Sequence, residues 1–313
     1  MSSGIATIGA LRSLLSALLV AWLLFGIGCG ADGIDQMKPP PTMWMPDPDP
    51  NRPQQFVAFG DFGVDSVDEL NVSRLVKAMN PDFIVALGDN NYLTGNEYDR
   101  AIGKYYADFI GQYQGMYGSG STTNRFWPAL GNHDWDAMPI DSHYAYFPSL
   151  PGNKRYYDMR VGRVHIFFVD SDPREPDGVA VDSVQAMWLK SALAASSACH
   201  KLVAFHHPPY GSSGFDVIWM RWPFKEWGAD AVLSGHQHSW ERMRVDGIPY
   251  LIAGLGGALN RFGILSKTPY TEMYYNDDFG ALKATVDSMG IRYEFFSQKG
   301  ELVDSLSVAK ACP

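Results

Sequence analysis

The stretch QFVAFGDFGVDSVDELNVSRLVKAMNPDFIVALGDNNY, residues 55–92, decides how the chain is read. Gln55–Phe59 is short and apolar, as a buried strand is, and it runs straight into Gly60-Asp61-Phe62-Gly63. Val67–Met79 has the pattern of an amphipathic helix, and Asp82–Leu87 is a second strand that ends in Gly88-Asp89-Asn90-Asn91-Tyr92. Two strand-to-helix steps of this kind imply a parallel sheet.

Working outward, Val164–Val169 predicts a strand, Val181–Ala195 a helix, Lys201–Phe205 a strand, Val217–Trp227 a Trp-rich helix and Ala231–Leu233 a strand. The last third changes character. Ile248–Ala253, Ala281–Val286, Ile291–Phe296 and Leu302–Val308 read as strands at hairpin-like spacing without comparable helices between them. The expected class is α/β, with two mixed β-sheets packed face to face and helices outside. Composition agrees: 46% hydrophobic and 13% aromatic residues in 313 supply a core, which excludes disorder and coiled coil as the main class. The net charge of -9 offers nucleic acid no general basic field, so any pull on an anionic substrate must be local.

The strong polar clusters all follow predicted strands, where an open α/β sheet places its ligand. Asp61 and Asp89 follow the first two strands. Asn132 and His133 follow Trp127–Leu130 in Gly131-Asn132-His133-Asp134, His206 and His207 follow Lys201–Phe205, and His236 and His238 follow Ala231–Leu233 in Gly235-His236-Gln237-His238. Five of the eight histidines fall in these loops. One such loop is ordinary capping chemistry, but five in succession describe a binuclear metal site. Carboxylate, imidazole and amide donors suit iron, zinc or manganese, whereas an all-oxygen shell suits magnesium or calcium.

The order GD, GD, GNHD, HHP, GHxH, from Gly60 to His238, resembles the signature of the calcineurin-like metallophosphoesterases, with weaker similarity to the C-terminus. Most of that superfamily carries Asp-x-His in the first motif, and Gly63 stands at the His position here. The purple acid phosphatases offset this loss with a Tyr three residues after the second Asp, where Tyr92 lies. The resemblance implies an α/β/β/α sandwich and hydrolysis of small phosphate monoesters by hydroxide generated on a metal pair. It implies Asp61, Tyr92 and His238 on ferric iron, Asp89 as the bridge, and Asn132, His206 and His236 on a divalent iron, zinc or manganese. His133 then contacts phosphate and protonates the leaving oxygen, and Asp134 orients His133. His207 takes a supporting or solvent-facing place, and Glu241-Arg242 form a structural ion pair.

Two departures stand out. Plant-type members place a β-sandwich ahead of the catalytic domain, and the sequence before Asp61 has no room for one, so the small tartrate-resistant-acid-phosphatase-like form is expected. Relatives also carry further histidines after the His-x-Pro motif, whereas Pro209–Met220 has none and presents Ser212, Ser213 and Phe215. His143 is a candidate substitute, His165 a core residue and His200 a surface one.

At the N-terminus, Arg12 precedes the apolar run Leu14–Ile27, shorter than the ~20 residues of a spanning helix. Residues 1–28 therefore read as an export signal, 29–53 as a Pro-rich tether and 54–313 as one catalytic domain. Gly26-Ile27-Gly28-Cys29 resembles a lipoprotein box, leaving lipidation of Cys29 and ordinary secretion both open. That lipid is the one membrane attachment expected, with a periplasmic, outer-membrane or secreted location. Cys199 and Cys312 are either a disulfide or unrelated thiols. Two rival functions stay open: a phosphodiesterase or nucleotidase of the same superfamily, and an exported non-catalytic metal-binding protein.

Overall fold

Fourteen strands form two mixed sheets in the computed structural model, which describes residues 43–45, 52–137 and 139–312. The smaller sheet contains β2 (Gln54–Phe59), β3 (Phe83–Leu87), β4 (Phe126–Ala129), β12 (Gly280–Val286), β13 (Gly290–Ser297) and β14 (Leu302–Ala309), in the order β14-β13-β12-β2-β3-β4. Strands β2, β3 and β4 are parallel, and β12 runs antiparallel to β2. The larger sheet contains β1 (Met43–Met45), β5 (Tyr157–Val161), β6 (Val164–Phe168), β7 (His200–Ala204), β8 (Ala231–Ser234), β9 (Trp240–Val245), β10 (Ile248–Ala253) and β11 (Thr271–Tyr275). Its order is β1-β5-β6-β7-β8-β10-β9-β11, with β6, β7, β8 and β10 parallel.

Side chains on a strand alternate between faces, so each central strand of the larger sheet feeds two cores. Ile166, Phe168, Leu202, Ala204, Ala231 and Leu233 join Phe56, Val85, Trp127 and Leu282 of the other sheet in a shared core. Phe167, Val203, Phe205 and Val232 point the other way and pack with Trp188, Leu189 and Leu193 of the helix Val184–Ala195. The expected face-to-face arrangement with an outer helical layer is thus present.

The helix Val67–Met79 has the predicted limits. Ser66 caps it by accepting from the Glu69 N–H at 3.0 Å, and Asn80 ends it in a left-handed conformation with φ of 48°. The predicted helix over Val181–Ala195 starts only at Val184, because Ser183 is its N-cap and accepts from Ala186 N–H at 3.2 Å. The one expected over Val217–Trp227 is not continuous. A 3₁₀ turn, Ile218–Met220, is separated from a short helix, Phe224–Trp227, by Pro223, which cannot donate to a helical ladder. Strands β5, β9 and β11 escaped sequence reading because charged residues interrupt them, and β1 lies within the span read as tether. Ile248–Ala253 is the hairpin strand expected, antiparallel to β9 across the turn Asp246-Gly247, and it also pairs parallel to β8 in the larger sheet.

Cys199 and Cys312 are disulfide-bonded with Cα atoms 5.6 Å apart, tying the entrance of β7 to the chain beyond β14. His200 is buried rather than on the surface, beside Cys312. His165 is the core residue expected, held by Asp158 at 2.9 Å and Ser196 at 2.8 Å. The export signal, Cys29 and most of the tether lie outside the described residues. Among those described, no helix is long and apolar enough to cross a membrane.

Candidate metal centre

Every predicted ligand stands just beyond the carboxyl end of a parallel strand, and both sheets contribute. Asp61 follows β2, Asp89 and Tyr92 follow β3, Asn132 follows β4 with the proposed acid His133 beside it, His206 follows β7, and His236 and His238 follow β8. Asp61, Asp89 and His236 have φ of 60°, 55° and 66°, so three of the turns hold non-glycine residues in a left-handed backbone that must be sustained by their surroundings.

The seven donors converge in two groups around Asp89. Asp89 Oδ2 accepts from the Tyr92 hydroxyl at 2.8 Å, and that hydroxyl is 3.3 Å from Asp61 Oδ1 and 3.2 Å from His238 Nε2. Asp89 Oδ1 is 3.3 Å from His206 Nε2, which is 3.2 Å from both Asn132 Oδ1 and His236 Nδ1. The two carboxylate oxygens therefore face different donor groups.

Ring tautomers show why a cation fits. His206 Nδ1 is 2.8 Å from the Leu87 carbonyl, so it carries the proton, and a neutral ring then aims the Nε2 lone pair at oxygen lone pairs of Asp89 and Asn132. His238 repeats the arrangement, with Nδ1 donating to the Asn260 carbonyl and Nε2 3.3 Å from Asp61 Oδ1. Lone pairs facing one another repel unless positive charge lies between them, and backbone carbonyls that orient ligating imidazoles are the usual outer support of a metal site.

The charges and burial of the donors show the same demand for positive charge. Burial raises the Asp89 carboxyl, but the charges and hydrogen bonds of His206 and His133 overcome this and hold it far below the usual range. Burial lowers His206, and the Asp89 charge outweighs it and lifts the ring to about 10. Burial and then the Asp89 and Asp61 charges push the Tyr92 phenol far up, so a phenolate there needs a cation. His236 is driven down to about 2 by burial and by the charge on His206.

Gly63 admits no side chain: a Cβ there would lie 2.0 Å from the Asn90 carbonyl oxygen. Its own carbonyl accepts from the Tyr92 N–H at 2.8 Å, which sets the phenol's loop. His133 lines the cleft with its ring centroid 4.1 Å from that of Tyr92, while its backbone N–H donates to Asp89 Oδ1 at 2.9 Å. Arg174, absent from the sequence reading, secures this loop by donating to the Asn132 carbonyl at 3.0 Å and to Asp136 at 2.7 Å.

Several expectations need correction. Asp134 does not address the His133 imidazole. Its hydrogen bonds go to Gly131 N–H (2.8 Å), the Asn90 amide and N–H (2.9 and 3.2 Å) and Tyr98 (3.2 Å), so it joins the Asp89 loop to the Asn132 loop. Burial and the Asp89 charge raise its carboxyl to about 7 against those bonds. His207 takes the supporting one of its two expected places rather than the solvent-facing one: it is buried, with Nδ1 2.9 Å from Ser171 Oγ and its ring packed 4.4 Å from that of His236. Glu241 and Arg242 do not pair, because neighbours on a strand point to opposite faces. Glu241 accepts from Ser212 and Thr271, and Arg242 bonds Asp304 and Glu272.

His143 is not a phosphate-steering substitute. It is fully buried among Tyr98, Tyr144 and Phe147, and neither ring nitrogen has a hydrogen-bond partner. Burial first, and Lys154 second, lower its pKa to about 3. Since an unfolded His binds its proton near ~6.5, the unfolded chain holds more protons between those values, and acid favours unfolding there. This residue should remove about 1.4 kcal/mol of stability per pH unit across that window. Denaturant titrations at pH 7 and 4.5 should therefore show His143→Phe losing less stability on acidification than the parent; equal losses would contradict a neutral buried imidazole.

The cleft over the ligands encloses about 480 Å³, and five of its twelve lining residues come from segments the motifs did not include: Phe215 and the loop Ala258, Leu259, Asn260 and Phe262. Gly254-Leu255-Gly256-Gly257 after β10 is the same strand-then-glycine signal, without a polar residue to draw attention to it.

The calcineurin-like phosphoesterase family model matches residues 55–240. Tartrate-resistant acid phosphatase type 5 of Mus musculus is 27% identical over 250 residues, covering 67% of this chain and 75% of that protein. The Homo sapiens counterpart is 25% identical over 248 residues, covering 66% and 74%. Among solved structures, the purple acid phosphatase PPD1 of yellow lupin (Lupinus luteus) superposes with a TM-score of 0.66 at 18% identity over 83% of this chain and 54% of that one. GAP50, the anchor in the inner membrane complex of Plasmodium, does so with 0.65 at 18% over 84% and 90%. With the family model spanning all five strand-end clusters, the chain belongs to the calcineurin-like phosphoesterases, hydrolases of phosphoric esters, and within them Gly63 and Tyr92 mark the purple acid phosphatase type.

Proposed function

We propose that the protein is an exported acid phosphatase that hydrolyses small phosphate monoesters at a centre of ferric iron and one divalent iron, zinc or manganese. The apolar run before Cys29 supports export, to the periplasm, the outer membrane or the medium, with a lipid on Cys29 as one route. The observation that carries the reading is the Tyr92 hydroxyl, lodged between Asp61, Asp89 and His238 where a second imidazole would otherwise be needed. When bound, the cation pair supplies positive charge to phosphoryl oxygens and a nucleophile at mild pH.

The chain's own residues do the rest. Asp61, Tyr92 and His238 would hold one cation and Asn132, His206 and His236 the other, with Asp89 shared between them. His133, at the mouth, meets the ester and donates a proton to the departing oxygen. Asp134 and Arg174 keep the His133 loop against Asp89.

The testing experiment is a visible spectrum of metal-reconstituted protein alongside Tyr92→Phe. A phenolate on ferric iron gives a charge-transfer colour, and removing one oxygen while keeping the ring should abolish it. Because ferric iron polarises water more strongly than a divalent ion, the parent should work best on the acid side of neutral. A colourless, fully loaded parent with an optimum above pH 8 would reject this reading in favour of a phosphodiesterase or nucleotidase.

A further inference from the structure

The cleft beside the ligands has one wall built of carbon. We propose that Phe215 and Leu259, backed by Phe262, form a platform for the leaving group that selects aromatic or other flat apolar alcohols over leaving groups bearing further phosphates. The proposal rests on the phosphatase reading above and specifies its substrate class.

The platform begins at the ligands themselves. Phe262 lies flat over His238, with ring centroids 4.4 Å apart and planes 8° apart, and Phe215 stacks on Phe262 at 4.7 Å while standing edge-on to His236 at 6.0 Å. An ester whose phosphoryl group sits over the imidazoles therefore extends its alcohol along these rings. Phe215 is 45% and Leu259 78% exposed, so their apolar surface is offered to the cleft rather than spent in the core.

The wall is also preformed. Ala258 N–H donates to the Asp61 carbonyl at 2.8 Å, Phe262 N–H to the His238 carbonyl at 2.9 Å, and Leu265 N–H to the Ser212 carbonyl at 2.8 Å. Tyr274 and Asn276 both donate to the Phe262 carbonyl, at 2.7 and 2.9 Å. A rigid aromatic surface costs a bound ring little ordering entropy.

Electrostatics points the same way. The described lining residues include no lysine or arginine, and the whole chain carries a charge of -9. A phosphoanhydride would need fixed cations for its additional phosphates, usually arginine or lysine, and none lines this wall, since Arg261 of the same loop donates to the Asn276 carbonyl at 2.9 Å and lies over the Phe279 ring.

The test uses metal-loaded full-length protein and two non-hydrolysable probes, phenylphosphonate and methylphosphonate, with binding measured calorimetrically so that leaving-group reactivity plays no part. The parent should bind the phenyl compound roughly three- to tenfold more tightly, the worth of one aromatic contact. Phe215→Ala should bring the ratio close to one, and Phe215→Trp should restore it. A ratio near one in the parent, or a ratio that Phe215→Ala leaves intact, overturns the platform alone. Failure of the parent to bind either phosphonate overturns the phosphatase reading and the platform with it.

Discussion

Asp89→Ala should lose both cations and all phosphatase turnover. The two oxygens of this carboxylate face different donor sets: Oδ2 meets Tyr92 at 2.8 Å, and Oδ1 meets His206 Nε2 at 3.3 Å. Its Oδ1 also accepts the His133 N–H at 2.9 Å, so the substitution removes one of the ties on the loop that carries the proposed acid. Asp89→Asn, which keeps volume and one oxygen, should retain part of the metal and little turnover, separating loss of charge from loss of shape. Elemental analysis and a phosphate-release assay on the purified variants decide the matter. Two metal equivalents per chain with parental turnover in Asp89→Ala would refute the bridging role.

His133→Ala is the complementary case, in which metal should stay and rate should fall. The group that supports the centre is the His133 backbone N–H, which alanine retains, while Asp134 and Arg174 continue to hold the loop at Gly131 and Asn132. What disappears is the imidazole in the cleft. Turnover should drop by roughly 10²–10⁴-fold, the usual contribution of a positioned acid or base. A leaving group that departs without help, such as a nitrophenol, should suffer less than an alkyl alcohol. Equal losses on a nitrophenyl and an alkyl phosphate would remove protonation from the role of His133.

The site was legible in the sequence because it is assembled from local events. In each case a short apolar run is followed by a turn that ends in a polar residue, and chain order alone exposes the pattern. Asp61 and Asp89 show it most plainly, each one residue beyond a glycine that closes a buried strand. Where polar residues were satisfied by distant partners, the pattern hid the structure instead. Strand β9 reads Trp-Glu-Arg-Met-Arg-Val, and only the fold brings Ser212 and Thr271 to Glu241 and Asp304 to Arg242. The stacked wall of Phe215 and Phe262 was invisible for the same reason, since 47 positions separate two residues that touch only through β8 and the loop after β10.

By itself the sequence determined the class of fold, the strand-end location of the polar clusters and which residues stand as candidate donors, because backbone periodicity and residue type are local properties. Tertiary structure alone decided what each side chain faces. It turned Asp134 from His133 toward Asn90 and Tyr98, buried His143 and His200, joined Cys199 to Cys312, and oriented the His206 and His238 lone pairs inward through carbonyls of Leu87 and Asn260. The physical reason is that burial, tautomer and pairing depend on atoms far away in sequence. In this fold those atoms meet only after two sheets have packed together and brought their strand ends to one edge.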